Sequence, residues 1–260
     1  MTKTVINWVF SAIAILIVII GFYMSLEGTS NEPSHEHNPT HDEEENSQSA
    51  ETGSTIDIDI NYSNETLTIS VLNQEGDIPD LAITHEKLMH LILISDDLES
   101  FIHLHPKQTE EGMFVVDIKL DHMNYQAFVD IKPEKDVYLT EPIPLDEQHL
   151  HHHSSLQADE TMVKEIDGVE VELFYEPLLA GEHASLLFEV NNGTPEPYLG
   201  ALGHVVIVDE LLSTFIHVHP ESTEKPVFEA YFEEAGMYKL WAEFKIDGEV
   251  YAFPYMIEVK

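Results

Sequence analysis

Residues 88–106 read LMHLILISDDLESFIHLHP, and residues 202–220 read LGHVVIVDELLSTFIHVHP. Both contain His, twelve residues, His, one residue, His and Pro: His90, His103, His105 and Pro106 in the first, His204, His217, His219 and Pro220 in the second. From the first His to the Pro, the stretches otherwise agree only at Leu98/Leu212, Phe101/Phe215 and Ile102/Ile216. The imidazoles persist where apolar residues have drifted, which marks a repeated chemical device. Each stretch reads as a hairpin, an apolar run returning on a second run through a polar turn at Ser95 to Ser100 in the first copy. In a strand, residues two apart share a face, so Phe101, His103 and His105 project together while Ile102 and Leu104 face the other way. Pairing Ile94 with Phe101 sets His90 directly opposite His105, where Cβ atoms stand about 4.5–5.5 Å apart. The second copy likewise sets His204 opposite His219. A slip of one residue would send His90 to the other face.

The duplication extends beyond the histidines. Ile56, Ile58, Ile60 and Tyr62 match Val169, Val171, Leu173 and Tyr175 at an offset of 113, as do the runs Tyr125–Lys132 and Tyr238–Lys245. Small insertions disturb the register, four residues near Thr84 to Lys87 in the first copy and about five near Ala180 to His183 in the second. Apolar residues alternate at Ile56, Ile58, Ile60 and again at Leu67, Ile69, Val71 around the turn-prone Asn61 to Asn64. That period fits strands and excludes helices. Short strands and turns without a helical pattern predict an all-β chain of two tandem antiparallel β-sandwiches, residues 55–146 and 165–260. Residues 147–164, with His149, His151, His152 and His153, read as a His-rich linker.

Residues 1–24 hold an apolar run from Val5 to Met24 of about the length that spans a bilayer. Lys3 precedes it and only acidic charge follows as far as Asp42 to Glu45. The positive-inside rule then predicts a single-pass anchor in the cell membrane with the bulk of the chain on the extracytoplasmic side. A cleaved signal peptide is the competing reading. Residues 25–54 are polar, acidic and dotted with His35, His37 and His41, the composition of a disordered stalk.

Forty-nine acidic residues against eleven basic ones, none of them Arg, give a net charge of -38. Nucleic acid is excluded as a partner, anionic substrates are disfavoured and cations are favoured. The same acidity also serves simply to keep an exported chain soluble. The chain has no cysteine. Disulfides, thiolate copper centres and cysteine-type zinc sites are therefore out of reach. Any metal sits on imidazole, carboxylate or thioether.

Three imidazoles on one sheet patch form a three-nitrogen site, which suits copper or zinc. The expected metal ligands are His90, His103 and His105 in one module and His204, His217 and His219 in the other, one site per module. Met89, Met123 and Met237 are candidate thioether donors for reduced copper. His85, five residues before His90, lacks the four-residue helical spacing of a zinc protease. No nucleophile motif or phosphate loop stands out, so a binder for buffering, sensing or delivery is expected rather than an enzyme. The rival reading is an interaction scaffold for an envelope protein partner, its histidines bracing the core through hydrogen bonds.

The quoted stretches, each followed by a strand such as YKLWAEFKIDGEVY, resemble the exported bacterial β-sandwich domains associated with copper and other heavy metals, broadly the YtkA-like class. The resemblance implies immunoglobulin-like or cupredoxin-like modules that handle metal through the six matched histidines. The segment FIHVHP is also similar to the copper-ligand strand of the copper-zinc superoxide dismutases. The zinc loop, disulfide and guiding arginine of those enzymes are missing here, which leaves dismutase activity a minor alternative.

Overall fold

Ten strands make up the first module in the computed structural model, which describes residues 54–146, 156–218, 220 and 225–260. They are β1 (Ile56–Ser63), β2 (Thr66–Asn73), β3 (Leu81–Ala82), β4 (His90–Ser95), β5 (Phe101–Leu104), β6 (Lys107–Gln108), β7 (Phe114–Asp117), β8 (Tyr125–Asp130), β9 (Lys132–Pro133) and β10 (Ile143–Pro144). The second has β11 (Val163–Ile166), β12 (Val169–Phe174), β13 (His183–Asn191), β14 (His204–Asp209), β15 (Phe215–Val218), β16 (Val227–Tyr231), β17 (Gly236–Ile246) and β18 (Glu249–Val259). No helix occurs among the described residues, and none there is long and apolar enough to cross a membrane. The anchor, nearly all of the stalk and the histidines of the linker lie outside the described residues.

Each module is a sandwich of two four-stranded antiparallel sheets. The first pairs β1-β2-β7-β6 with β10-β8-β4-β5, and the second pairs β11-β12-β13-β16 with β15-β14-β17-β18. The alternation of β1 and β2 has the expected outcome: Leu67, Ile69 and Val71 turn inward onto Leu91, Leu93, Ala127 and Val129 of the facing sheet. The equivalent core of the second module sets Val171, Leu173, Leu186 and Phe188 against Val205, Ile207, Leu240 and Ala242.

The strands β4 and β14 do not alternate, and the reason is a third core. Ile92, Ile94, Leu98 and Phe128 pack directly against Val206, Val208, Leu212 and Trp241. The outer face of one module's sheet is thus buried on the outer face of the other's, which is why HLILIS is buried at every residue. Strands covered on both sides read as continuous apolar runs. The seam has an approximate two-fold axis: Phe101 stacks on Trp241 with centroids 5.0 Å apart, and Phe215 stacks on Phe128 at 4.8 Å. Phe128 and Trp241 are equivalent positions in the two copies, as are Phe101 and Phe215. The contact is therefore isologous, like that of a symmetric dimer. Side chains of this size are each worth about 1.5–3 kcal/mol on burial, so the seam is a core rather than a hinge.

One boundary and one insertion differ from the sequence expectation. Val163 and Lys164 belong to β11 and pair with Glu172 and Val171, so the second module begins before residue 165. The described end of the linker is bound to the molecule, with Leu156 packed into the seam and the Asp159 carboxylate accepting from the Met256 amide at 2.8 Å. Thr84 to Lys87 is not an unmatched insertion either. It is a tight turn closed by a Thr84–Lys87 bridge, and Tyr198–Ala201 repeats it.

Candidate metal centre

The hairpin register is the expected one. Ile94 pairs with Phe101 and Leu91 with Leu104, and the His90 and His105 rings stand 4.9 Å apart. The face bearing the histidines is the outer one, because Ile102 and Leu104 pack in the module's own core. Since that outer face is the seam, the two histidine sets meet. One ring nitrogen from each of His90, His103 and His217 lies within 4.8 Å of the other two. His105 is 4.7 Å from His103 between ring centroids, and His204 is 5.9 Å from His217. The separate site expected in each module is replaced, for these rings, by one cluster drawn from both. His219 lies outside the described residues.

Hydrogen bonds from outside the cluster fix the ring tautomers. A backbone carbonyl can only accept, so His90 donates Nε2–H to Thr84 O at 3.1 Å and keeps its lone pair on Nδ1. His204 donates Nε2–H to Tyr198 O at 3.0 Å in the same way. The two acceptor carbonyls are those of the equivalent tight turns, whose central residues take left-handed backbone: His85 and Glu86 in one, Leu199 and Gly200 in the other. His103 donates Nδ1–H to the Glu243 carboxylate at 2.5 Å, and His217 donates Nδ1–H to Asp130 at 2.7 Å. Both bonds cross the seam. Asp130 and Glu243 are equivalent positions, each opposite the first histidine of its own module in the sheet, at His90↔Asp130 and His204↔Glu243. Each carboxylate orients the other module's ring and leaves that ring's Nε2 with the lone pair.

The consequence is concentrated between His90 Nδ1 and His103 Nε2, which stand 3.1 Å apart. With the tautomers fixed as above, both atoms present lone pairs. Two acceptors at this distance repel unless a positive species joins them, either a proton shared between the rings or a metal ion. A metal 2.0–2.1 Å from both nitrogens would subtend about 95–102°, close to a tetrahedral angle. Nitrogens on a tetrahedral ion lie about 3.3–3.4 Å apart, so His217 would move in by up to about 1.5 Å to complete the set. A carboxylate behind a ligating imidazole is the usual support of a metal site, and two are in place.

Burial favours the neutral form, the one that ligates, at His90, His105, His204 and His217. It lowers His90 and His204 from 6.5 to about 4 and His105 to about 3, with neighbouring histidines adding to the effect for each. His217 is pushed well below its ordinary value by the same causes. Burial also raises the Asp130 carboxyl. The side chains of His103 and His217 are only 1% and 3% exposed, while that of Asp130 is 28% exposed.

Asp130, Glu243 and Tyr198 had no place in the sequence expectation, and His85 entered it only through a spacing that does not suit a zinc protease. Asp130 and Glu243 were detectable as the single carboxylate at a matched position in each of the strand segments YQAFVDIK and YKLWAEFK. His85 joins the cluster with its ring 6.1 Å from those of His90 and His204, and Tyr198 packs edge-on to His204 at 5.4 Å. The thioether candidates do not reach the site. Met89 is buried in the first module's core on the opposite face from His90. Met237 lies six residues before Glu243 along β17, about 20 Å at the ordinary strand rise, and Met123 is seven residues before Asp130.

Residues 49–143 and 164–260 both match the family described as "Domain of unknown function (DUF8832)", and the chain belongs to that family as a tandem pair of its domains. Comparison with curated proteins gives no match. Among solved structures, the chain is similar to "Crystal structure of chicken CNTN1 FN1-FN3 domains", at 13% identity and a TM-score of 0.22. That likeness covers 78% of this chain and 66% of the other, just under two thirds of its length.

Proposed function

We propose that this tandem DUF8832 protein binds a single copper or zinc ion in the seam between its modules, on His90, His103 and His217, with Glu243 and Asp130 orienting the last two. The observation that carries the reading is the 3.1 Å approach of His90 Nδ1 to His103 Nε2, two atoms left as acceptors by the outward hydrogen bonds of their rings to Thr84 and Glu243. The all-nitrogen donor set, with no cysteine anywhere in the chain, suits Cu(II) and Zn(II). The acid-rich surface supports the reading by drawing cations toward the molecule. The apolar run Val5 to Met24 would hold the protein at the membrane with its modules outside the cytoplasm, a setting for buffering, sensing or handing on an exported metal. Immunoglobulin-like or cupredoxin-like modules would serve as the rigid frame.

The test is a calorimetric titration of residues 54–260 with Cu(II) and with Zn(II). One tight equivalent is expected, and His103→Ala and His217→Ala should each abolish it although they lie in different modules. Two equivalents, each lost only with its own module's histidines, would restore separate sites. The rival is a braced scaffold in which a proton, not a metal, joins His90 and His103. The 2.5 Å contact between His103 and Glu243 favours that rival, because an imidazolium would donate to both neighbours. It predicts no equivalent bound above the background of the linker peptide, and a loss of a few kcal/mol in stability on His103→Ala.

A further inference from the structure

The rings of the centre are almost sealed, with His90 and His204 fully buried, so an ion needs a way in. A cleft of about 250 Å³ opens beside β5, β6 and β7, lined by His105, Lys107, Val115, Val116 and Asp117. His105 belongs to both places: it forms part of the cleft wall, and its ring lies 4.7 Å from His103 and 4.9 Å from His90. Its Nε2 is buried and has no hydrogen-bond partner. An unsatisfied buried nitrogen is costly unless something visits it.

We propose that this cleft is the route by which the cation enters and leaves the seam, and that His105 is the transit ligand that takes the ion from the cleft and hands it to His90 and His103. The inference rests on the metal-binding reading above. Asp117, exposed at the cleft, draws the cation in against the opposing charge of Lys107. The ion exchanges water for the His105 nitrogen, then that nitrogen for those of the buried rings, so it is never stripped of all its ligands at once. No bond other than coordination bonds is made or broken.

A residue used only in transit alters association and dissociation by the same factor and leaves affinity unchanged. The experiment is stopped-flow mixing of the full chain with Co(II), read by its visible spectrum, with release driven by a chelator. His105→Ala is expected to slow both binding and release at least tenfold while the equilibrium constant stays within about threefold and one ion still binds. Asp117→Lys, a change at an exposed position, is expected to slow association severalfold at low salt, with the effect fading as salt is raised. A His105→Ala protein with unchanged kon and a tenfold weaker affinity would make His105 a permanent ligand and overturn the proposal. Unchanged rates in both variants would overturn the route while leaving the metal site in place. If the parent protein binds no Co(II), Zn(II) or Cu(II), the metal reading itself falls, and the route with it.

Discussion

At the scale of single residues, the seam depends on carboxylates more than on the number of histidines. Glu243→Gln and Asp130→Asn keep shape and remove the charge that fixes the Nδ1–H tautomer of His103 and His217. Each is expected to weaken metal affinity about 10–100-fold, the usual effect of losing such support, with the two effects similar in size because the positions are equivalent. A titration in which either variant binds as tightly as the parent would separate these carboxylates from the site. The buried rings of His90, His105, His204 and His217 set the acid stability of the metal-free protein. Unfolded, each would take a proton near 6.5. Folded, His90 and His204 wait until about 4 and His105 until about 3. The unfolded state therefore binds more protons across that interval, and the stability these rings contribute is full above about pH 6.5 and is lost as pH falls toward 4. Each accounts for at most about 1.4 kcal/mol per pH unit. Asp130, raised by burial, works in the opposite sense, as one group against several. The denaturation midpoint of the chelator-treated protein should drop steeply between pH 7 and pH 5, and a flat profile would contradict the burial of neutral rings.

At the scale of elements, the strand entering the site differs between the copies in an instructive way. Gly203 precedes His204 with φ of 141°, and a Cβ there would lie 2.7 Å from the Glu243 carbonyl oxygen and 2.7 Å from the Phe244 ring. The first copy has Met89 and Ile131 at the same two positions, both buried. Methionine before the histidine with isoleucine after the carboxylate is exchanged for glycine with the larger phenylalanine. Gly203→Ala should cost about 2–4 kcal/mol through overpacking and backbone strain, and Phe244→Leu should recover part of that by relieving the ring contact but not the backbone one. Thermal melts of the single and double variants check both parts. The hairpin register and the shared face of Phe101, His103 and His105 were legible from the spacing and period of the sequence. The direction of that face was not, since alternation alone does not say what covers the outer side of a sheet. The signal was present in LILI and VVIV, apolar on both faces where a single sandwich requires only one. Leu98 and Leu212 carried it too, as the apolar residue shared by the two turns. Both sit in left-handed backbone and are buried in the seam, a conformation that disfavours leucine and is offset here by that burial.

At the scale of the whole molecule, the isologous seam makes each module its own best substitute for the other. If residues 54–146 are produced alone, Phe101 of one copy would meet Phe128 of a second where it now meets Trp241, and His103 would meet Asp130 where it now meets Glu243. The smaller ring of Phe128 would leave space that Ile92 and Ile94 help to fill, being larger than Val206 and Val208. The single module is therefore expected to form a homodimer at micromolar concentrations, to bind one metal ion per two chains, and to become monomeric on Phe128→Asp, which changes only the outer face of its sheet. Analytical ultracentrifugation with and without Zn(II) decides the matter. A folded module that stays monomeric at 100-fold higher concentration would mean that the seam is held by tethering, which supplies an effective concentration in the millimolar range. The centre would then be a property of the duplicated chain alone.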